Sequence, residues 1–442
     1  MEIVLTLFYV LLFMVLIYKL PYFQSKNISS FVLCVLFGIK VLAGVSMYFV
    51  YTYYYPDRSQ ADIFRYFDDA KVIYNALPER PMDYLRILLG IGNDTPYFND
   101  HYYVYLNHWE REIVTNIFSD SHIIIRFNAL VMLFSFGYFN VHNVFASFIA
   151  FVGLFAMYKF MERHTKHLHI GYMIAIFLLP SVMFWTSGVL KESVIIFGVG
   201  LFVYGIDSMC EINMPWYRRF MLLASAFLGA LLLIYTKLYY LLLLLLLMTI
   251  FIINKYRRIT HPLWTYIIAV MIAVPLMYGI ACYAGYDALD LIAYKHNDML
   301  NLGLCEHAQM ADTIRLEATL PEFASYVPHA LFNAIFKPLP FSSASPMVMA
   351  AWAENMLLWI VALILLCIGG KWQVKNKNIF YFCVLFFLAN ALVIGLSVPI
   401  VGAIARYRCI SLPFGMLAVC LCLDEYTMHK RWKALQKKCK RQ

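Results

Sequence analysis

Apolar residues run along this chain in blocks of about twenty, separated by short polar turns and by two long polar stretches. A block of that length crosses a hydrocarbon core of about 30 Å as a helix. The blocks predict spans at about 2–18, 31–51, 141–161, 170–187, 193–209, 220–236, 238–254, 263–282, 347–368, 379–399 and 408–424. Lipid leaves no backbone polar group free to pair with water, so spans are helices unless the pattern alternates as in a barrel, and none of these does. The expected fold is all-α, a polytopic bundle of about eleven transmembrane helices. Residues 122–138 are apolar but hold Arg126 and Asn128, which reads as a half-span or a surface helix. No internal repeat is present, so 1–442 reads as a single membrane domain.

The long polar stretches, 52–121 and 283–346, carry too much charge to lie in lipid. Within the first, Ile63, Phe67, Ala70, Tyr74 and Leu77 recur at helical spacing, with Asp62, Arg65 and Asp69 on the opposite face. Ser59 followed by Asp62 has the form of a capping box. This predicts an amphipathic helix on the membrane surface, its carboxylates facing water.

Composition sharpens the class. Of 442 residues, 62% are hydrophobic and 14% charged, against about 25% charged in soluble domains. A soluble protein is excluded. The net charge of +9 is explained by basic loops at the cytoplasmic side, without nucleic acid. Lys255, Arg257 and Arg258 mark one such loop, Lys371, Lys375 and Lys377 another. The tail 425–442 is strongly basic. The long stretches run the other way: six Lys/Arg against eleven Asp/Glu in 52–121, three against seven in 283–346. Both are expected outside, with the N-terminus outside and the C-terminus in the cytoplasm. That parity requires 122–161 to cross once. The first twenty residues lack a basic start and a cleavage site, so they read as a retained span. Ten cysteines are scattered without a CxxC and read as small core residues.

This orientation gathers several charges on the external face. Lys191 and Glu192 lie between two apolar blocks, Lys237 in the turn between two others, and Arg406 and Arg408 before the last. Lysine and arginine on the side where positive charge is sparse suit a phosphate, arginine by a bidentate contact and lysine as a point charge. Headgroup anchoring is the plainer role of any single one. Glu354 lies about two turns inside a span, roughly 10 Å deep. A carboxylate there is a functional candidate or half of an ion pair. Asp57, Asp62, Asp68 and Asp69 are further candidates, as a general base towards a sugar hydroxyl or as oxygen ligands of a divalent metal ion. Asp62 and Asp69 share a helical face, and Asp68 turns away from it. His164, His167 and His169 sit in a basic connection without metal-ligand spacing. P-loop, GxGxxG and GxSxG patterns are all absent.

Three blocks carry a resemblance. They are Pro180 to Glu192, Phe336 to Phe341 with Ala353, Glu354 and Asn355, and Ala405 to Arg408 with Pro413. In this order they resemble bacterial membrane proteins of surface-polysaccharide assembly, the GT-C-type glycosyltransferases and O-antigen polymerases. The resemblance covers roughly the C-terminal 60% of the chain. It implies an inner-membrane, multi-pass enzyme acting on a polyprenyl-(di)phosphate-linked sugar or glycan, alongside other polysaccharide-assembly proteins. It also implies an acidic motif in the first external loop. The matching residues here, Asp62 to Asp69, contain no Asp-x-Asp and follow the second span instead of the first. The expected roles are catalytic for Asp62, Asp69 and Glu354, and phosphate-binding for Lys191, Lys237, Arg406 and Arg408. A single-sugar transferase, a polymerase or ligase, and a lipid-linked glycan transporter or flippase remain the alternatives.

Overall fold

The computed structural model describes residues 1–442 except 55–56, 110–119, 166–168, 212–213, 343–344, 370–373, 375 and 425–442. The basic tail, Lys371, Lys375 and His167 therefore lie outside the described residues. The described chain is helical throughout. In order the helices are α1 (Glu2–Lys19), α2 (Ser30–Tyr54), α3 (Asp62–Asn75), α4 (Pro81–Leu89), α5 (Pro96–His101), α6 (His122–Ser135) and α7 (Phe139–His164). There follow α8 (His169–Phe177), α9 (Pro180–Trp185), α10 (Lys191–Met209), α11 (Trp216–Thr236), α12 (Leu238–Arg257) and α13 (Pro262–Tyr283). The last six are α14 (Ala288–Cys305), α15 (Leu320–Phe336), α16 (Pro346–Gly369), α17 (Lys377–Ser397), α18 (Val401–Arg408) and α19 (Leu412–Leu421).

Nine helices among the described residues, α1, α2, α7, α10 to α13, α16 and α17, are long and apolar enough to span a membrane. The pair α18 and α19, bent by 57° at Cys409–Ser411, makes a tenth if counted as one broken span. The expected span at 170–187 is instead two short helices, α8 and α9, broken at Leu178 and Leu179 before Pro180. Proline disfavours helical backbone in the residue before it and cannot donate to the helix ladder. Pro413 stands in the same way at the start of α19. α6, at 14 residues, is shorter than a full span.

The chain divides into two compact units, residues 1–160 with 183–241, and residues 161–182 with 242–442. In the first, α1 and α2 meet α7 through aromatic rings, Phe13 stacking on Phe148 at 4.2 Å. Gly200 on α10 lies against the Gly153 carbonyl of α7, where a Cβ would collide with backbone. Such small-residue contacts let membrane helices approach closely. Another part of this unit's core is built on α3. Ile63, Phe64, Tyr66, Phe67, Ala70 and Ile73 are buried with Tyr84 and Ile87 of α4, Ile124 to Met132 of α6 and Leu190 at the start of α10. α3 is thus enclosed by protein on more than one face, and Asp69 is buried there instead of facing water.

In the second unit α17 is the central element, and Gly395 brings it against the Ala330 carbonyl of α15. The residues between the spans α13 and α16 are not loop alone, since they form α14 and α15. His296 of α14 holds this region together, with one ring nitrogen 3.0 Å from the Leu396 carbonyl and the other 3.0 Å from that of Ile314. Cys282 and Cys305 are free, exposed thiols.

Candidate functional site

Lys191 is the first residue of α10, and Lys237 ends α11. A cation suits the C-terminal end of a helix but opposes the dipole at an N-terminus. Lys191 is compensated by Asp120, a residue that sequence reasoning passed over. The Asp120 Oδ1 lies 2.6 Å from Lys191 Nζ, and its Oδ2 lies 2.7 Å from Lys237 Nζ. Lys191 also reaches Ser121 Oγ at 3.4 Å and stands 5.6 Å above the Tyr66 ring. The side chains are 12–19% exposed. Burial pushes the Asp120 carboxyl up, but the two ammonium groups prevail and hold it far below the usual carboxylate range. Two ammonium groups thus converge on the two oxygens of one carboxylate.

The first-loop carboxylates fall into different roles. Asp57 caps the turn Arg58–Gln60 by accepting from the Ser59 N–H. Asp68 pairs with Arg58 at 2.8 Å on the surface. The expected capping box does not form, because α3 begins at Asp62 after Ala61 with no side-chain cap. Asp69, expected to face water, is 1% exposed. Its two oxygens accept the N–H groups of Asn107 and His108, each at 2.8 Å. Burial raises its carboxyl above the usual range, against those two bonds and Arg65. Asp69 therefore fastens residues 107–108 to α3, and both of its oxygens are committed.

His108, so fastened, has its ring 5.2 Å from that of Tyr66. Burial, then Lys191 and Arg65, push its imidazole down to about 4, opposed by Asp62 and Asp120. Asp62, Lys191 and Asp120 are thus electrostatic neighbours of one imidazole. Of the residues singled out from sequence, this unit brings together Asp62, Asp69, Lys191 and Lys237. Beside them Glu192 is buried at 1% exposed in the first turn of α10.

A lysine missed in the sequence, Lys40, explains the hydroxyls before Lys191. Lys40, fully buried within α2, donates to Thr186 Oγ1 at 2.6 Å and Ser187 Oγ at 3.1 Å.

Glu354, Arg406 and Arg408 belong to the second unit. Glu354 Oε1 accepts the Ser181 N–H at 2.8 Å, which caps the start of α9 with a carboxylate. Arg408 is 4% exposed. Its Nη1 lies 3.2, 3.0 and 3.4 Å from the carbonyls of Ala334, Ile335 and Lys337, at the C-terminal end of α15. Glu354 and Arg408 are within electrostatic reach of each other. Asn355 donates to the Phe336 carbonyl at the same helix end, at 2.7 Å. Arg406 is half-buried on α18. Among the described residues no three His, Cys, Asp or Glu side chains converge as a metal-ligand set.

No family model, curated protein or solved structure matches this chain. The functional reading rests on the side-chain chemistry.

Proposed function

We propose that the chain is an integral-membrane glycosyltransferase of cell-surface polysaccharide assembly that uses a polyprenyl-(di)phosphate-linked sugar. The observation that carries this reading is the convergence of Lys191 and Lys237 on the two oxygens of a single carboxylate. Two ammonium groups set for one oxyanion provide the electrostatics that a departing phosphate needs. In this reading Asp120 occupies the place of that phosphate in the substrate-free protein.

The chemistry then follows from charge. Phosphate takes the ammonium groups and displaces Asp120. Its carboxyl, released from the cations that depress it and now beside an anion, rises into a range useful for a base. The acceptor hydroxyl gives its proton to Asp120 or Asp62, and its oxygen forms the new bond to the anomeric carbon. The bond from that carbon to the phosphate oxygen breaks, and the phosphate leaves with the electron pair, held by Lys191 and Lys237. The charge pattern of the loops favours the external face of the cytoplasmic membrane for this site.

Profiling lipid-linked glycans in cells carrying Lys237→Ala or Lys191→Ala tests the reading. Accumulation of the unextended lipid-linked precursor is expected. Unchanged glycans at wild-type protein level would overturn it. Labelling a cysteine placed at the exposed Lys71 checks the orientation, with reaction from outside the cell expected.

A further inference from the structure

A cavity of about 350 Å³ in the first unit is lined by Leu88, Leu89, Gly90, His122, Ile123, Arg126 and Tyr235. Its volume falls within the roughly 300–1,000 Å³ of small-molecule sites. Only Arg126 of these residues carries a fixed charge. Its Nε donates to the Ile87 carbonyl at 2.9 Å, and its guanidinium stands 5.3 Å above Trp109, which stacks on His122 at 3.8 Å. These contacts fix the plane of the guanidinium and use one of its five N–H groups. Among the described residues no carboxylate pairs with it. The terminal nitrogens lie beside Gly90, whose φ is +73°, and a Cβ there would come within 3.0–3.2 Å of them. A glycine at this helix end keeps the approach to the guanidinium open.

The surroundings indicate what kind of anion fits. Met82, Leu85 and Leu89 recur along α4 and are 67, 42 and 65% exposed, with Ile91 just beyond at 65%. An apolar helix face that leads to a cationic cavity suits a molecule with an anionic head and a hydrocarbon chain. A small free anion would need the cation but not the stripe.

We propose that the Arg126 cavity binds the phosphate headgroup of a membrane lipid, with the lipid chain lying along the exposed Met82, Leu85 and Leu89 face of α4. The terminal amino groups of Arg126 donate to the phosphate oxygens. This site does not depend on transfer chemistry, and its cation, Arg126, is neither of the lysines paired with Asp120.

The full chain, purified in nanodiscs of phosphatidylcholine with a minor share of phosphatidic acid, gives the test by native mass spectrometry. Phosphatidic acid is expected to be retained over phosphatidylcholine, and Arg126→Gln to weaken that retention by about tenfold or more. Leu89→Asp, at an exposed position where folding is not at stake, places a like charge at the mouth and is expected to weaken it as well. Lys237→Ala is expected to keep the lipid while losing transfer, which separates the two sites. Retention unchanged in both Arg126→Gln and Leu89→Asp would overturn the proposal. So would equal stabilisation by inorganic phosphate alone, which would mark a site for a free anion.

Discussion

The two units use the same kinds of charge to different ends. In the first, two lysines share one carboxylate. In the second, Arg408 is spent on the carbonyls at the end of α15, and Glu354 caps the start of α9. Both clusters join charge to a place where helices end. The first sets two ammonium groups on one oxyanion, and the second sets a guanidinium on helix-end carbonyls. Residue type alone would have ranked arginine above lysine for phosphate. The inventory of partners reverses that ranking for Arg408.

The sharpest way to break this contrast is to remove the shared carboxylate. Asp120→Ala leaves two partly buried ammonium groups facing each other. A loss of about 3–5 kcal/mol in unfolding free energy is expected, as for a buried pair deprived of one partner. Adding Lys191→Met to that background is expected to recover part of the loss. A cost below about 1 kcal/mol, the size of a surface pair, would show that the triad is not the buried staple described.

The opposite cluster is expected to answer in stability more than in activity. Arg408→Met uncovers carbonyls at the end of α15 and removes the counter-charge of Glu354, at a cost of about 2–4 kcal/mol. Glu354→Gln in the same background is expected to restore some of it. Lys237→Met gives the mirror result: Asp120 keeps Lys191, so stability falls by only about 1–2 kcal/mol while glycan transfer is lost. Equal stability losses in the two variants would erase the distinction between a cation that shares a carboxylate and one bound to helix-end carbonyls.

Within the first loop a smaller contrast sets Asp69 against Asp68. Asp69→Asn replaces an acceptor of two backbone N–H bonds by a group that is partly a donor, and about 2–3 kcal/mol should be lost. Asp68→Asn breaks only the exposed pair with Arg58 and should cost less than about 1 kcal/mol. Thermal unfolding of the purified protein in detergent separates the two.

These adjacent aspartates show what one sequence discloses. Long apolar blocks predicted α1, α2, α7, α10 to α13, α16 and α17, because twenty apolar residues have few other uses. The broken segments were harder, although Pro180 and Pro413 marked where the helix would fail. Helical spacing alone puts Asp69 on the polar face of α3. Its burial comes from residues 107–108, which fold back onto α3 from more than thirty positions away. Asp120 left only a faint signal, as the last acid before the apolar run that begins at His122. Lys191 and Lys237 hold similar boundary positions, but that three such boundaries meet at one point is a fact of packing. Pairings of this kind are not written in the periodicity of any one element.

The gentlest probe of the first unit is pH. His108 is held neutral inside, its imidazole at about 4 against an ordinary 6.5. The folded state therefore resists a proton that the unfolded chain accepts. The stability this represents is fully present above pH 6.5 and drains away as pH falls towards 4. A loss on the order of 1–2 kcal/mol is expected by pH 5. Asp69 works in the other direction, since a carboxyl raised by burial takes up its proton earlier in the folded state than in the unfolded one. Asp120 stays charged through this range, so the lysine cluster does not contribute. Comparing wild type with His108→Gln isolates the imidazole: the variant should show a flatter decline between pH 7 and 5. An identical slope in both proteins would mean that His108 meets protons as freely folded as unfolded, and that the segment fastened by Asp69 is open to water.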